Sequence, residues 1–246
     1  KIKMSNKIYV VGFGPGAYEQ MTIEAVNVLK AVDVITGYTV YTDIIKEYFP
    51  DKEYINTPMR QEVDRCKLTL DIAKGGKSVA LVCSGDAGVY GLAGLMYEIA
   101  GDEDVEIEIV AGVSAVLSGA SILGAPLIHD FTVISLSDLL TPWEKIETRL
   151  EFAAKGDFVI CLYNPSSKKR SDYLSKACNI LMKYKDKNTV CGLVENIGRD
   201  GQRQEVLSLE ELEKTGVNMF TTVFIGNSQT MEIRKKMVTP RGYRYE

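Results

Sequence analysis

The chain has 246 residues, of which 46% are hydrophobic and 25% are charged, and its formal net charge is −4. This composition is typical of a globular protein with a full hydrophobic core. The net negative charge offers no global attraction to nucleic acid or to an anionic membrane, and no apolar run reaches the roughly 20 residues that span a bilayer. We therefore expect neither nucleic acid nor a membrane as a partner.

Five cysteines are spread along the chain without a CxxC pair, and their number is odd. This pattern predicts no protein-bound metal centre. Three of them fall in predicted strands, where a free cysteine behaves as a small core residue. A reducing, cytoplasmic location is the expectation.

Apolar strands alternate with helical patterns in the first half, which indicates an α/β fold with largely parallel sheet. The pattern predicts strands over 7–13, 34–37, 79–83 and 105–110, and helices over 22–32, 62–74, 92–100 and 114–123. Thr22 is expected to cap the first helix.

The second half begins after Gly124-Ala125-Pro126, which we interpret as a hinge between domains 1–125 and 126–246. Strands are predicted over 131–136, 158–163, 190–195, 205–207 and 220–225, the fourth as a hairpin-type strand. Helices are predicted over 143–154, 171–184 and 209–214, with Pro142 at the first position of the first one.

Three small-residue turns follow predicted strands, at residues 12–16, 84–91 and 111–115. Glycine after a strand allows close approach of the backbone to a ligand. The first turn also fits the dinucleotide pattern G-x-G-x-x-A. Pro15 removes an N–H from that turn, and Asp33 precedes its strand, so both details disfavour a nicotinamide cofactor.

The order of the motifs Val-Gly-Phe-Gly-Pro-Gly, Gly-Asp-Ala-Gly-Val-Tyr and Ala-Gly-Val-Ser-Ala resembles that of the tetrapyrrole methylases. The similarity continues through Leu-Tyr-Asn-Pro at 162–165 and Ile-Gly-Asn-Ser at 225–228, and so covers nearly the whole chain. Ala87 and Ala111 depart from the proline that many members carry there. The segments at 134–143 and 237–243 resemble the branch that methylates carbon 17.

This resemblance implies two α/β domains with a cleft between them that binds S-adenosylmethionine and releases S-adenosylhomocysteine. It assigns cofactor contacts to Ser84, Gly85, Asp86, Val89, Ser114, Ala115, Tyr163, Asn164 and Gly192. In the family the first glycine-rich loop faces the substrate, which assigns Gly12, Gly14, Pro15 and Gly16 to substrate binding. A helix cap by Asp86 and ordinary turn roles for Tyr163, Asn164 and Gly192 are the competing interpretations.

Other candidates follow from side-chain chemistry. His129, the only histidine, and the adjacent Asp130 could carry protons, although a polar pair at a domain junction is the simpler interpretation. Arg60 is the cation we would test against substrate carboxylates, and Ser135 is assigned to substrate because it interrupts an apolar strand.

The expected reaction is transfer of a methyl group to carbon 17 of a precorrin-3-level tetrapyrrole, with or without cobalt, coupled to ring contraction. A methylase for another tetrapyrrole carbon and a non-catalytic tetrapyrrole carrier are the alternatives. The resemblance also implies a homodimer.

Overall fold

A computed structural model describes residues 6–167 and 169–244 of the chain. Tertiary contacts divide the chain into a first unit ending at Ala115 and a second unit beginning at Val116. The sequence placed this boundary after residue 125, on the far side of the small-residue helix. The structure groups that helix with the second unit because it packs on the second unit's sheet.

The first unit is an alternation of strands and helices. Its strands are β1 (Lys7–Gly12), β2 (Val34–Tyr38), β3 (Glu53–Thr57), β4 (Val79–Cys83) and β5 (Glu106–Val110). Its helices are α1 (Ile23–Ala31), α2 (Thr39–Lys46), α3 (Glu62–Lys74) and α4 (Ala93–Ala100), and a short 3₁₀ turn covers Tyr18–Gln20.

These strands form one parallel sheet in the order β3-β2-β4-β1-β5. Helices cover both faces, so successive residues of β1 enter different cores: Ile8 and Val10 join one cluster, and Tyr9 and Val11 the other. This explains why the strands read as continuous apolar runs. The predicted cap of α1 is confirmed, since Thr22 Oγ1 accepts a hydrogen bond from Ala25 N at 3.1 Å.

The second unit contains α5 (Ala115–Leu123), which begins at the junction, and α6 (Trp143–Lys155), α7 (Tyr173–Leu181) and α8 (Leu209–Glu213). Its strands are β6 (Gly124–Ala125), β7 (Phe131–Ser135), β8 (Val159–Tyr163), β9 (Val190–Glu195), β10 (Arg203–Ser208), β11 (Thr221–Ile225), β12 (Met231–Ile233) and β13 (Lys236–Val238). Pro142 is the N-cap of α6 rather than its first residue.

The main sheet of the second unit has the order β10-β9-β11-β8-β7. Only β7 and β8 pair in parallel there, and the other neighbours are antiparallel. The expectation of largely parallel sheet is therefore correct for the first unit and wrong for the second. The connection between β9 and β10 covers only residues 196–202, which is too short for a parallel crossover, so these two strands pair as antiparallel neighbours.

Helix α5 lies against this sheet through two glycines. A Cβ at Gly192 of β9 would lie 2.7 Å from Leu123 Cδ1, and one at Gly119 of α5 would lie 2.9 Å from Phe224 Cζ. The small residues therefore serve close helix–sheet packing. Within the described residues, no helix is long and apolar enough to cross a membrane.

Candidate functional site

The carboxyl ends of the parallel strands β4, β1 and β5 lie side by side at one edge of the first sheet. The three small-residue turns predicted from the sequence leave from these strand ends. Two of them hydrogen-bond to each other in both directions: Gly14 N donates to Gly85 O at 3.0 Å, and Gly85 N donates to Gly14 O at 2.8 Å. The prediction that the turns converge is therefore confirmed for the first unit.

Two glycines of these turns are required by contact between backbones. A Cβ at Gly12 would lie 2.6 Å from Gly85 O, and a Cβ at Gly112 would lie 2.1 Å from the same oxygen. Gly14 and Gly16 have φ values of 75° and 142°, which favour glycine. Gly12, Gly14, Pro15 and Gly16 are all buried, so loop packing alone accounts for the sequence of the first turn. Substrate contact by these four residues stays a prediction.

Asp86 ties two turns together through its carboxylate. Oδ1 accepts a hydrogen bond from Gly88 N at 2.8 Å, and Oδ2 accepts one from Gly112 N at 2.9 Å. The nearest helix, α4, begins only at Ala93, so Asp86 is not a helix cap. Each carboxylate oxygen retains a further lone pair for a ligand donor.

The other residues of the first unit that the resemblance assigns to the cofactor lie on the same turn as Asp86 or on the turn after β5. Ser84 and Val89 lie on the same turn and are partly exposed, and Ser114 is buried just before α5. The backbone of Gly85, with φ at 70°, lies in van der Waals distance of Ser114 and Ala115, because a Cβ placed on it would be 3.6 Å from each. The structure therefore brings all six first-unit candidates to one edge of the sheet.

Cys83, at the end of β4, is the thiol nearest this turn in sequence. Burial raises its pKa to about 11, so it remains a protonated core group at neutral pH rather than a nucleophile.

In the second unit, the parallel pair β7 and β8 ends in a second polar group. Asn164, held at a φ of 53°, donates from Nδ2 to Ser135 Oγ at 3.0 Å. The phenol oxygen of Tyr163 accepts a hydrogen bond from Val116 N at 2.9 Å, at the start of α5. Gly192 lies within β9 beneath Leu123, so packing within the second unit explains that glycine without a ligand.

A hydrogen-bonded cluster follows β7 that the sequence did not indicate as a unit. Arg170 Nη1 donates to Ser137 Oγ at 2.9 Å and to Asp138 Oδ1 at 3.1 Å. Tyr173 donates to Asp138 Oδ2 at 2.5 Å, a bond that raises the pKa of the phenol. Arg170 is therefore held by protein groups. The loop between these partners carries Leu140, which is 98% exposed.

His129 and Asp130 lie at the amino end of β7, whereas Ser135 lies at its carboxyl end. The contact within the pair is local: Asp130 N donates to His129 Nδ1 at 3.0 Å. A strand of five residues spans about 17 Å. The structure does not bring this pair to Ser135, Tyr163 and Asn164, and its catalytic role stays a prediction without geometric support.

Arg60 lies on the connection between β3 and α3, at the carboxyl edge of the first sheet. Its φ of 67° is in the left-handed region, which costs a non-glycine residue about 1 kcal/mol or more. The side chain is exposed and forms no ion pair with any residue that the structure describes. The sequence missed a second arginine close to it, Arg65, which is only 4% exposed. The signal was present, because Arg65 occupies the same helical stripe as Thr69, Leu70 and Ala73.

These features define an α/β protein whose small-residue turns at the carboxyl ends of parallel strands form a candidate ligand site. The family model described as Tetrapyrrole (Corrin/Porphyrin) Methylases matches residues 7–213. The chain belongs to this family and is a methyltransferase.

Individual relatives are similar over almost their whole length. A probable cobalt-factor III C(17)-methyltransferase of Salmonella typhimurium is 43% identical, with 95% of this chain and 98% of the relative covered. A precorrin-3B C(17)-methyltransferase of Sinorhizobium sp. is 37% identical, with 98% of each covered. The crystal structure of the methyltransferase CobJ superposes with a TM-score of 0.88 at 33% identity, with 96% of this chain and 100% of CobJ covered.

Proposed function

We propose that this protein transfers a methyl group from S-adenosylmethionine to carbon 17 of cobalt-factor III or precorrin-3B, with contraction of the ring, in cobalamin biosynthesis. The observation that carries the proposal is the 43% identity to a C(17)-methyltransferase over nearly both full chains. The identity to the precorrin-3B enzyme is lower, at 37%, so cobalt-factor III is the first substrate to test.

The chemistry of the turn at 84–91 fits the proposed cofactor. The Asp86 carboxylate can accept a hydrogen bond from an ammonium group or from ribose hydroxyls in addition to its two backbone donors. Gly88 is exposed beside it, so the backbone can be approached there without a Cβ in the way. When bound, S-adenosylmethionine would supply an electrophilic methyl group. Tyr163, Asn164 and Gly192 stay predictions from the resemblance.

The protein's part in the methyl step is alignment, since the electron-rich macrocycle is itself the nucleophile. Holding two reactants in register can contribute several kcal/mol to the rate. The buried, mutually bonded glycine turns are suited to this task because their backbone positions are fixed by the contacts between Gly12, Gly85 and Gly112. Ring contraction further requires proton transfer at oxygen substituents, for which the described side chains offer no group with supporting geometry.

The first test is calorimetric binding of S-adenosylhomocysteine to the wild type and to Asp86→Asn, with Asp102→Asn as the control. Asp102 is exposed on the same unit. We expect Asp86→Asn to weaken binding about tenfold, because it removes a charge-assisted acceptor, and Asp102→Asn to leave binding unchanged. Mass spectrometry of the tetrapyrrole should then show one added methyl group. A folded wild type that binds no S-adenosylhomocysteine would favour the carrier alternative, and a methyl group on another carbon would favour the other family alternative.

We also propose that the protein is a homodimer, as the resemblance implies, and that it is cytoplasmic, as its free cysteines indicate. Light scattering coupled to size-exclusion chromatography measures the mass directly, and a mass near 27.2 kDa, that of one chain, would contradict the dimer.

A further inference from the structure

The side chain of Arg65 is buried in the first unit without an acidic partner. It forms no ion pair with any carboxylate among residues 6–167 and 169–244. A guanidinium group stays charged under all ordinary conditions, and a buried charge without a counterion is costly. A purely structural role would therefore be filled at lower cost by a neutral side chain.

Two of the five N–H donors of Arg65 are fixed by the protein. Nε donates to Thr57 Oγ1 at 2.7 Å, and Nη2 donates to Pro58 O at 3.0 Å. The guanidinium carbon also lies 5.8 Å from the centre of the Tyr38 ring, within the range of a cation–π contact. These contacts hold the planar group in one orientation and leave Nη1 and one hydrogen of Nη2 available.

The end of the guanidinium that has no protein partner is not completely buried. Among the described residues, the only fully buried side-chain polar atom without a partner is Gln20 Oε1. Nη1 of Arg65 also has no hydrogen bond, but it is not a fully buried atom, so part of its surface stays accessible. The guanidinium is thus anchored by hydrogen bonds at one side and has no hydrogen bond at the other.

Aromatic rings connect Arg65 to the first glycine-rich turn. The Phe13 ring packs edge-on against Tyr41 with centroids 5.8 Å apart, and Tyr41 packs against Tyr38 at 5.1 Å. Tyr38 then contacts Arg65. This row lies at the carboxyl edge of the first sheet, the edge that carries the turns at 12–16 and 84–91. Arg60, on the connection held by Arg65 through Pro58, adds a second, exposed cation.

We propose that Arg65 binds a carboxylate side chain of the tetrapyrrole substrate, with Thr57 and Pro58 fixing its guanidinium and Arg60 as an outer cation. The inference rests on the proposed function, since it requires a substrate that carries acetate and propionate groups. Nη1 and Nη2 together present the parallel pair of donors that a carboxylate accepts in bidentate geometry. Arg65 is a binding residue in this scheme and takes no part in methyl transfer.

The test compares Arg65→Gln and Arg65→Lys with the control Lys67→Gln, which removes one exposed positive charge from the same helix. The probe is uroporphyrin, a stable porphyrin with acetate and propionate on every ring, titrated by fluorescence anisotropy. We expect Arg65→Gln to raise its dissociation constant about tenfold or more, and Lys67→Gln to leave it unchanged. Arg65→Lys keeps the charge but loses the planar fork, so it should weaken binding by a smaller factor.

Calorimetry with S-adenosylhomocysteine separates the two sources of a carboxylate, because this ligand carries that of methionine. The proposal requires Arg65→Gln to bind it like the wild type. Selective loss of S-adenosylhomocysteine binding would overturn the proposal and assign Arg65 to the cofactor. Equal loss of both ligands together with a lower unfolding temperature would assign it a structural role.

If Arg65→Gln does not fold, the proposal is tested with Arg65→Lys instead. Binding of uroporphyrin by Arg65→Lys with the affinity of the wild type would overturn the proposal. Failure of the wild type to bind uroporphyrin while it binds S-adenosylhomocysteine would also overturn it. Failure to bind S-adenosylhomocysteine would instead count against the proposed function.

Discussion

Two cationic side chains are buried in the described part of the chain, Arg65 in the first unit and Lys185 in the second, and their surroundings differ. Lys185 Nζ donates to Phe158 O at 3.0 Å and to Gly226 O at 3.1 Å, and it lies 3.5 Å from Asp157 Oδ1. Two hydrogen bonds and one ion pair therefore hold the ammonium group. Arg65 has only two of its five donors in use. A buried cation whose donors are satisfied by the protein is a structural tie, whereas one left open indicates a ligand.

The glycines of the two units differ in a parallel way. Gly12 and Gly112 are closed in by backbone atoms of neighbouring turns, whereas Gly119 and Gly192 are closed in by the side chains of Phe224 and Leu123. A side chain can rotate away from an added methyl group, but a hydrogen-bonded turn cannot move without opening. Gly12 and Gly112 therefore allow close contact between turns, whereas Gly119 and Gly192 allow a helix to pack closely on its sheet.

The largest expected effect is on stability, in Lys185→Met. The variant removes two hydrogen bonds to backbone carbonyls, of which the bond to Gly226 O is buried. It also removes the ion-pair partner of Asp157, whose side chain is about half exposed and can be solvated. We expect the free energy of unfolding to fall by about 3 kcal/mol, with ligand binding at low temperature unchanged. Urea unfolding measures the loss, and the exposed Lys183→Met is the control. Weakened binding of S-adenosylhomocysteine or uroporphyrin by folded Lys185→Met would break the distinction between the two cations.

The glycine contrast is tested by Gly12→Ala against Gly192→Ala. We expect Gly12→Ala to cost about 3 kcal/mol, because its Cβ would meet Gly85 O at 2.6 Å, and Gly192→Ala to cost about 1 kcal/mol as Leu123 shifts. Gly94→Ala, with no atom within 4 Å of the new Cβ, should be neutral or slightly stabilising in its helix. Thermal unfolding ranks the three, and equal losses at Gly12 and Gly192 would refute the contrast.

The regular elements around the turns at 12–16, 84–91 and 111–115 were predictable from sequence, and two of the elements around Arg65 were not. Helix α3 and strand β4 have the predicted bounds, because their apolar stripes and flanking glycines are strong signals. Strand β3 is an exposed edge strand with polar residues on both faces, and α2 is rich in β-branched residues that disfavour helix. Without these two elements, an arginine on α3 has nothing to be buried against, so its site could not be predicted.

The hairpin of β12 and β13 was missed for a different reason. Its two central residues, Arg234 and Lys235, have φ values of 51° and 60°, as a type I′ turn requires. Such turns are usually marked by asparagine and glycine, and here that signal is absent. Pairing of β13 with β6 accounts for the strand, and this long-range contact is invisible in the local sequence.

The pH dependence of stability provides a further test of the buried state of Lys185. Burial lowers the pKa of its ammonium group from 10.5, and the charge of Asp157 opposes this shift only in part. The folded state therefore binds fewer protons than the unfolded state between the lowered pKa and 10.5, and stability from this group rises with pH across that window. We expect the difference in unfolding free energy between the wild type and Lys185→Met to increase as pH is raised from neutral towards 10. A constant or shrinking difference in urea titrations would show that the lysine is not desolvated in this way.

The smallest expected effect has the opposite sign and concerns Gln20, beside the first glycine-rich turn. Its Oε1 is buried without a hydrogen-bond donor, and such an orphaned acceptor costs about 1 kcal/mol or more. Gln20→Met keeps the length of the side chain and removes that oxygen, so the ligand-free protein should gain about 1 kcal/mol in urea unfolding. Gln61→Met, at an exposed position, should change stability by less than about 0.5 kcal/mol. Because this oxygen is fully buried, unlike Nη1 of Arg65, we expect Gln20→Met to bind uroporphyrin like the wild type. A loss of stability in Gln20→Met would instead show that the oxygen has a hydrogen-bond donor in solution. The contrast between the two units would then rest on Arg65 and Lys185 alone.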